Sequence, residues 1–422
     1  MSALPPPLAP AGVGARMLAV IVLTGLGAGL GGAALTLLLH LVQHLAFGYT
    51  EDTFLTGVER ASPARRVSVM GIGGLLVGLG WWALRHHRDT LTVTDALRAD
   101  APRMPLPTTL ADSALQILAV AFGASLGREG APRQLGAATG AWLAARAGLN
   151  ATQQRTILAC GAGAGLAAVY NVPLGGALFT LEILLASTAR THIIAAVLTS
   201  AIATAIAWPM LSDRPTYQVD SFHLTAPVLI WSVLLGPLAG VVSALFNQLT
   251  TAARTHTPRG WRLPVATTVL FAAVGALAIP FPQLLGNGKG PAQLAFNGAL
   301  GLPLFAALIL LKSLATALCL RSGATGGLLT PALATGALLG AATGGLWSSL
   351  WPGTPLGAYA LIGAAAVLAT TQRAPLTAIV LVLEFTHTGL TLLVPILIAV
   401  GAATLTHQHL HRPATANKPT DS

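Results

Sequence analysis

The chain has 422 residues, of which 54% are hydrophobic and only 9% are charged. This composition excludes a soluble globular protein, whose surface needs many more charged side chains. The net charge of +10 comes from basic residues in short connections, and no basic stretch carries interleaved aromatic residues. The sequence therefore predicts an integral membrane protein with no nucleic-acid partner.

Glycine and proline are frequent, with 46 and 27 residues. Within a membrane these residues are tolerated where helices break around a cavity. We therefore expect an all-α integral membrane fold, a multi-helix bundle of tilted and broken helices. The two cysteines, Cys160 and Cys319, lie in apolar runs and are expected to be packing residues.

The apolar runs predict a single transmembrane domain at residues 17–406, preceded by a flexible cytoplasmic tail at 1–16. A short polar tail at 407–422 leaves no room for a soluble regulatory domain, and its alternating His407, His409 and His411 are expected to be solvated and not to bind metal. The predicted apolar segments are 17–47, 67–84, 110–142, 156–189, 193–211, 224–249, 263–282, 302–320, 332–346, 358–369, 374–386 and 390–405.

Polar connections separate these runs at residues 51–66, 89–107 and 254–262. The last of them divides the domain into halves, about 17–252 and 263–406. In the second connection Thr90, Thr92 and Thr94 alternate, a pattern more typical of a turn or strand than of ligands.

The apolar run at 110–142 is interrupted by residues 127–132, Gly-Arg-Glu-Gly-Ala-Pro. A carboxylate at bilayer depth costs about 2.5 kcal/mol or more, so Glu129 marks an ion pathway. The alternative is a structural carboxylate paired with Arg128 or Arg133. Arg133 is the better pairing candidate, because residues four apart on a helix are neighbours and adjacent residues are not.

A second glycine-rich break, at residues 323–331, precedes an apolar helix in the other half. A helix that begins inside the membrane presents unpaired N–H groups and the positive end of its dipole. Two such helix starts, one from each half, would form an anion site without a strong fixed cation.

Residues 161–184 and 363–386 align without a gap and share nine of 24 positions. The matches include Pro173 with Pro375 and Glu182 with Glu384. We therefore predict two inverted repeats, with a structural role for both glutamates in capping the broken helices.

At these elements the sequence resembles the CLC family of chloride channels and proton-coupled chloride antiporters. The matching motifs are Gly-Arg-Glu-Gly at 127–130, Gly-Leu-Leu-Thr-Pro at 327–331, and the segments 161–182 and 373–384. Together they cover roughly residues 110–405. The resemblance implies a multi-pass protein of the cell membrane that carries chloride or another small monovalent anion in exchange for protons. It also implies a homodimer with its interface around 161–185 and 363–385, no cofactor or metal, and no enzymatic activity.

The resemblance also implies roles for particular residues. Glu129 is the expected gate and proton acceptor, and Arg128 the expected anion entrance, although a membrane anchor is the alternative for this arginine. The expected anion ligands are backbone amides, those of Glu129, Gly130, Leu328 and Leu329.

Several positions depart from the family pattern. Ala131 replaces a proline and Leu329 a phenylalanine, and residues 405–422 lack the family's pore tyrosine. The family's serine position falls on Leu91, which leaves Thr92 and Thr94 as possible anion-binding hydroxyls. Ile183 stands where many proton-coupled members have a second glutamate.

These departures leave three alternatives open. An antiporter whose protons reach Glu129 through water is favoured over a channel, and a fluoride or nitrate carrier is the runner-up to chloride. From another class, an intramembrane enzyme acting on an anionic lipid headgroup is also conceivable, but no nucleophile motif or second acid lies near Glu129 in the sequence.

Overall fold

The computed structural model describes residues 11–50, 53–88 and 90–410, with side chains from residue 14 onward. Over these residues it contains seventeen α-helices and no β-strand. Their bounds are α1 Ala11–Phe47, α2 Phe54–Arg60, α3 Pro63–His87, α4 Val93–Arg98, α5 Leu106–Ala121, α6 Gly130–Arg146, α7 Ala151–Tyr170, α8 Pro173–Phe179, α9 Arg190–Leu211, α10 Ala226–Thr255, α11 Arg262–Leu277, α12 Lys289–Phe296, α13 Leu302–Arg321, α14 Leu329–Leu350, α15 Leu356–Gln372, α16 Pro375–Thr386 and α17 Leu393–Leu410.

Seven of these helices are long and apolar enough to cross a membrane, among the residues the structure describes. They are α1, α3, α9, α10, α13, α14 and α17. Shorter apolar helices lie between them, as expected where membrane segments are broken into pieces. The predicted all-α integral membrane fold is confirmed.

Several predicted boundaries were wrong. Helix α1 begins at Ala11, so residues 11–16 are helical and not a flexible tail, while residues 1–10 lie outside the described residues. Helix α17 continues to Leu410 and buries His407, which is therefore not part of a solvated tail. His409 is exposed at the end of that helix, and His411 lies outside the described chain.

Three short helices lie outside the predicted apolar segments: α2 and α4 in predicted polar connections, and α12 between the segments 263–282 and 302–320. A stretch of six to eight residues is too short for an apolar periodicity to stand out. Helix α4 is instead marked by its cap, because the Thr92 side chain accepts from the Asp95 amide and Asp95 accepts from the Thr92 amide. Thr94 therefore lies in a short helix, not in the turn or strand that its alternation with Thr90 and Thr92 suggested.

The chain divides into two compact units that do not coincide with the predicted halves. Among the described residues, the first contains 11–36, 90–113 and 132–213. The second contains 37–50, 53–88, 114–131 and 214–410. The first half thus contributes three segments to the second unit, two internal ones and the part from Arg214 to its end near residue 252.

In the first unit, α6 packs on α7 through glycines. A Cβ at Gly136 would collide with the carbonyl oxygen of Gly161, and one at Gly165 with that of Pro132. Helix α7 then ends at Asn171 in the left-handed conformation, with φ 58° and ψ 51°, and α8 opens at Pro173.

The second unit repeats this sequence of elements. A Cβ at Gly336 in α14 would collide with the carbonyl oxygen of Gly363 in α15. Helix α15 ends at Arg373 in the left-handed conformation, with φ 54° and ψ 38°, and α16 opens at Pro375. Gly363, Arg373 and Pro375 are the positions that align with Gly161, Asn171 and Pro173. The internal repeat is therefore present in the local geometry.

The segments predicted as a dimer interface are only partly accessible. Residues 161–170 and 363–370 are buried inside the chain, so they cannot contact a partner. Leu174 in α8 and Leu376 in α16 are 56% and 58% exposed and occupy aligned positions of the repeat. The predicted interface is thereby restricted to the α8 and α16 portions of those segments.

Candidate functional site

The two glycine-rich breaks meet in the second unit. The amide of Gly127 donates to the carbonyl of Gly327 at 2.7 Å, and the amide of Gly327 donates to the carbonyl of Gly127 at 3.0 Å. These reciprocal bonds place the two breaks side by side in antiparallel orientation. The sequence-based expectation that the breaks come together is confirmed.

Glu129 is fully buried at this junction. Its Oε1 accepts a hydrogen bond from the Leu329 amide at 2.7 Å, and its Oε2 accepts one from the Thr330 hydroxyl at 3.4 Å. Helix α14 has no side-chain cap from its own N-cap residue, Leu328. The carboxylate of Glu129 therefore caps α14 from the other half of the sequence, where the helix dipole favours a negative charge.

The junction leaves no room for side chains larger than glycine at two positions. A Cβ at Gly127 or at Gly327 would collide with the Glu129 carboxylate. The glycines are thus required because the acid side chain lies directly against both backbones.

Helices α6 and α14 start alike. Each has a proline as its third residue, Pro132 in Gly-Ala-Pro and Pro331 in Leu-Thr-Pro. Because proline has no N–H, only the first two residues of each helix and the residue before it offer amides at that end. The predicted ligands Gly130 and Leu329 are the first residues of these two helices.

Polar side chains that the sequence analysis did not single out surround the junction. Ser125 bonds to Thr316 through the two hydroxyl oxygens at 3.2 Å, and its amide donates to the Cys319 sulfur at 3.4 Å. The buried Gln116 lies against Gly130, since a Cβ there would meet its Oε1 at 2.5 Å. Gln116 is one of four polar residues in the apolar run at 110–126, with Asp112, Ser113 and Ser125, so its polarity alone did not single it out.

Basic side chains lie near Arg128, the residue before Glu129, in the second unit. Arg128 is half-buried and close enough to His40 and Lys289 to interact electrostatically with both. The charged groups Arg128, which precedes Glu129 in the sequence, and Lys289 thus contribute positive potential, which favours the approach of an anion. Of these basic residues, only Arg128 was a predicted site residue.

Comparison with known proteins decides the family. The sequence profile described as "Voltage gated chloride channel" matches residues 73–408, most of the chain. The chain belongs to this family. The profile covers both breaks, Glu129 and the internal repeat.

Individual members of the voltage gated chloride channel family are similar over much of their length. A "Putative chloride channel protein ClcB-like" of Ralstonia nicotianae is 32% identical over 79% of this chain and 81% of its own. An "H(+)/Cl(-) exchange transporter ClcA" of Cronobacter sakazakii is 37% identical over 68% of this chain, and the match spans 64% of that relative. The crystal structure of a slow cyanobacterial Cl-/H+ antiporter superposes with a TM-score of 0.79 at 22% identity, covering 96% of each chain. This last similarity establishes the fold.

The two predicted hydroxyl ligands, Thr92 and Thr94, lie in the first unit. Thr92 and Thr94 are exposed, and the Thr92 hydroxyl donates to the Asp95 carboxylate at 2.6 Å. The Arg133 guanidinium lies 4.7 Å from the centre of the Phe179 ring, a cation–π contact. Ile183 lies in a single π-helical turn, Thr180–Leu184, that also contains Glu182. An anion-binding role for the two threonines and a capping role for Glu182 and Glu384 remain predictions.

No group of three or more His, Cys, Asp or Glu side chains suited to a metal ion occurs in the described part of the chain. The site is instead built from backbone amides, glycine contacts and one acid, which suits a small monovalent anion better than a metal cation.

Proposed function

We propose that the protein exchanges chloride for protons across the cell membrane, with Glu129 as the gate. One observation carries the proposal: a fully buried carboxylate bound by the first amide of a 22-residue helix. A carboxylate in that position takes the place of an anion. The family relationship to an H(+)/Cl(-) exchange transporter supports chloride and protons as the two substrates.

The chemistry follows from the charge of Glu129. Ionised, its carboxylate occupies the helix start and competes with any anion for the same donors. Protonation removes the negative charge, so the helix dipole no longer holds the side chain in place. The acid leaves and chloride takes its position, bound by backbone amides of Glu129, Gly130, Leu328 and Leu329. Return of the ionised side chain releases the proton and expels the anion.

Arg128, with Lys289 near it, is the proposed anion entrance, because positive potential at a pathway mouth raises the local anion concentration. Since Ile183 cannot carry a proton, protons reach Glu129 through water. Thr92 and Thr94 remain candidate hydroxyl ligands for the anion, away from the Glu129 junction.

The homodimer is also part of the proposal, with α8 and α16 at the interface. Exposed leucines at aligned positions of the repeat, Leu174 and Leu376, provide an apolar surface on each helix. Each subunit contains its own Glu129 junction, so the pathway is not formed between subunits.

The decisive experiment is chloride flux from proteoliposomes with simultaneous pH recording. Wild type is expected to move protons uphill when a chloride gradient is applied, and Glu129→Gln to carry chloride without protons. Glu129→Asp, which retains the acid on a shorter side chain, is the matched comparison. Proton pumping that persists in Glu129→Gln would remove the gate assignment, and chloride flux without protons in wild type would indicate a channel.

The alternative anions are tested with the same vesicles. Because the family's serine element is missing, fluoride and nitrate are loaded in place of chloride. Fluoride or nitrate efflux with negligible chloride efflux would overturn the chloride assignment and leave the gate assignment intact. The lipid-headgroup enzyme loses its support, because the family and its named relatives are channels and exchange transporters.

A further inference from the structure

Helix α13 presents a polar face to the segment that carries Glu129. Lys312, Thr316 and Cys319 follow one another at intervals of four and three residues, which places them on one side of the helix. All three are buried, in a helix long and apolar enough to cross the membrane. Two of them, Thr316 and Cys319, bind Ser125 directly.

Lys312 is fully buried and binds main-chain carbonyls. Its Nζ donates to the carbonyl of Leu284 at 2.9 Å and to that of Gly286 at 2.7 Å. A buried ammonium group is kept in a membrane protein only when its donors are used, so these two bonds fix the loop at 284–288 to α13.

This loop contacts both sides of the Glu129 junction. On one side, the Gly286 amide donates to the carbonyl of Gly123 at 2.8 Å, in the turn just before Ser125. On the other side, Gly288 packs against the carbonyl of Thr330 and the side chain of Lys312, since a Cβ at Gly288 would lie 3.2 Å from the former and 3.5 Å from the latter. Thr330 in turn donates its hydroxyl to Glu129.

We propose that Lys312 is a positioning residue for the Glu129 gate. By holding the loop at 284–288, it keeps the turn at Gly123 and the start of α14 at the separation that lets the Leu329 amide reach the carboxylate. The inference rests on the proposed function, in which retention of ionised Glu129 at that amide couples protons to chloride. It extends that function to a residue that touches neither the anion nor the acid.

The test compares Lys312→Met, which keeps the length but has no donor, with Lys312→Arg, which keeps donors for both carbonyls. Ser313→Ala is the matched control on the same helix, because that hydroxyl only bonds back to the carbonyl of Ile309. Each variant is checked for a monodisperse peak in detergent and then assayed for chloride flux and proton flux in the same vesicles. If Lys312→Met is not monodisperse, Lys312→Gln takes its place.

We expect Lys312→Met to lower the proton-to-chloride ratio by roughly twofold or more, the usual range for residues that couple two sites. Chloride flux persists, and Lys312→Arg and Ser313→Ala match wild type. A folded Lys312→Met with the wild-type ratio, or an Lys312→Arg that fails equally, overturns the inference. If wild type carries chloride without protons, the exchange proposal fails separately. In that case, a positioning role for Lys312 predicts that Lys312→Met has a higher chloride flux than wild type and that Lys312→Arg does not. An unchanged chloride flux in Lys312→Met would refute the positioning role.

Discussion

The amide of Leu329 donates to Oε1 of Glu129 at 2.7 Å, although 200 residues separate the two in the chain. The acid belongs to the first glycine-rich break, and the amide is the first of the helix that follows the second break. The second break is followed by a helix whose first amides have no acceptor within the helix. The first break supplies the carboxylate that accepts from one of these amides. An anion that enters this position must compete with a tethered carboxylate.

Replacing Gly327 by alanine is expected to uncouple proton transport from chloride transport. The new Cβ would overlap the Glu129 carboxylate, and a flexible side chain moves more readily than two bridged backbones. Gly327→Ala should therefore displace the acid, retain chloride flux and lose most proton flux. Gly401→Ala is the control, since a Cβ there meets nothing within 4 Å. Wild-type coupling in Gly327→Ala would show that Glu129 does not need to lie at this backbone.

Removing the Thr330 hydroxyl tests how firmly the carboxylate is held. Thr330→Val keeps the shape of the side chain but removes the donor to Oε2. A tethered anion that is held less firmly competes less well, so the Michaelis constant for chloride should fall by roughly fivefold, equivalent to one hydrogen bond of about 1 kcal/mol. Thr330→Ser should match wild type. A Michaelis constant that rises in Thr330→Val would mean that the hydroxyl serves chloride more than Glu129.

The main features of this site were predictable from the sequence because their residue types are unusual in the apolar segments that contain them. Glu129 is an acid in an apolar run, and both breaks are clusters of glycine that end in proline. The repeat was visible as well, since Pro173 and Pro375 open equivalent helices after residues in the left-handed conformation.

The partners of the gate were not predictable in the same way. Thr330, Gln116 and Lys312 are polar residues in mainly apolar helices, and nothing in the local sequence indicates which distant residue each one contacts. Lys312 donates to carbonyls that are 26 and 28 residues away in sequence, in the loop at 284–288. Such contacts are fixed by tertiary packing, for which helical periodicity carries no signal.

The proposed dimer predicts that bulky substitutions on α8 and α16 will separate the subunits. Leu174→Trp combined with Leu376→Trp adds volume at two exposed positions while remaining compatible with lipid. We expect a monomer of unchanged fold by light scattering in detergent. Leu310→Trp, at a position that is 73% exposed on α13, is the control. A double variant that still elutes at the mass of a dimer would exclude this interface.

Arg66 is expected to matter for stability more than any exposed arginine. It is only 7% exposed, and its guanidinium donates to the carbonyls of Val58, Glu59, Ala61, Ala278 and Ile279 at 2.8 to 3.1 Å. These carbonyls lie at the ends of α2 and α11, where helices leave their last carbonyl groups without helical partners.

Arg66→Met leaves these buried acceptors without their donor, at a cost of about 3 kcal/mol or more. Arg66→Lys should restore only part of the loss, because one ammonium group cannot span the acceptors that a planar guanidinium reaches from three nitrogens. We expect the temperature at which the monodisperse peak disappears in detergent to fall in the order wild type, Arg66→Lys, Arg66→Met. Arg98→Ala, which removes an exposed arginine from α4, should leave it unchanged. Equal temperatures for Arg66→Met and Arg98→Ala would mean that water replaces the guanidinium at these helix ends and that the segment is more hydrated than its burial indicates.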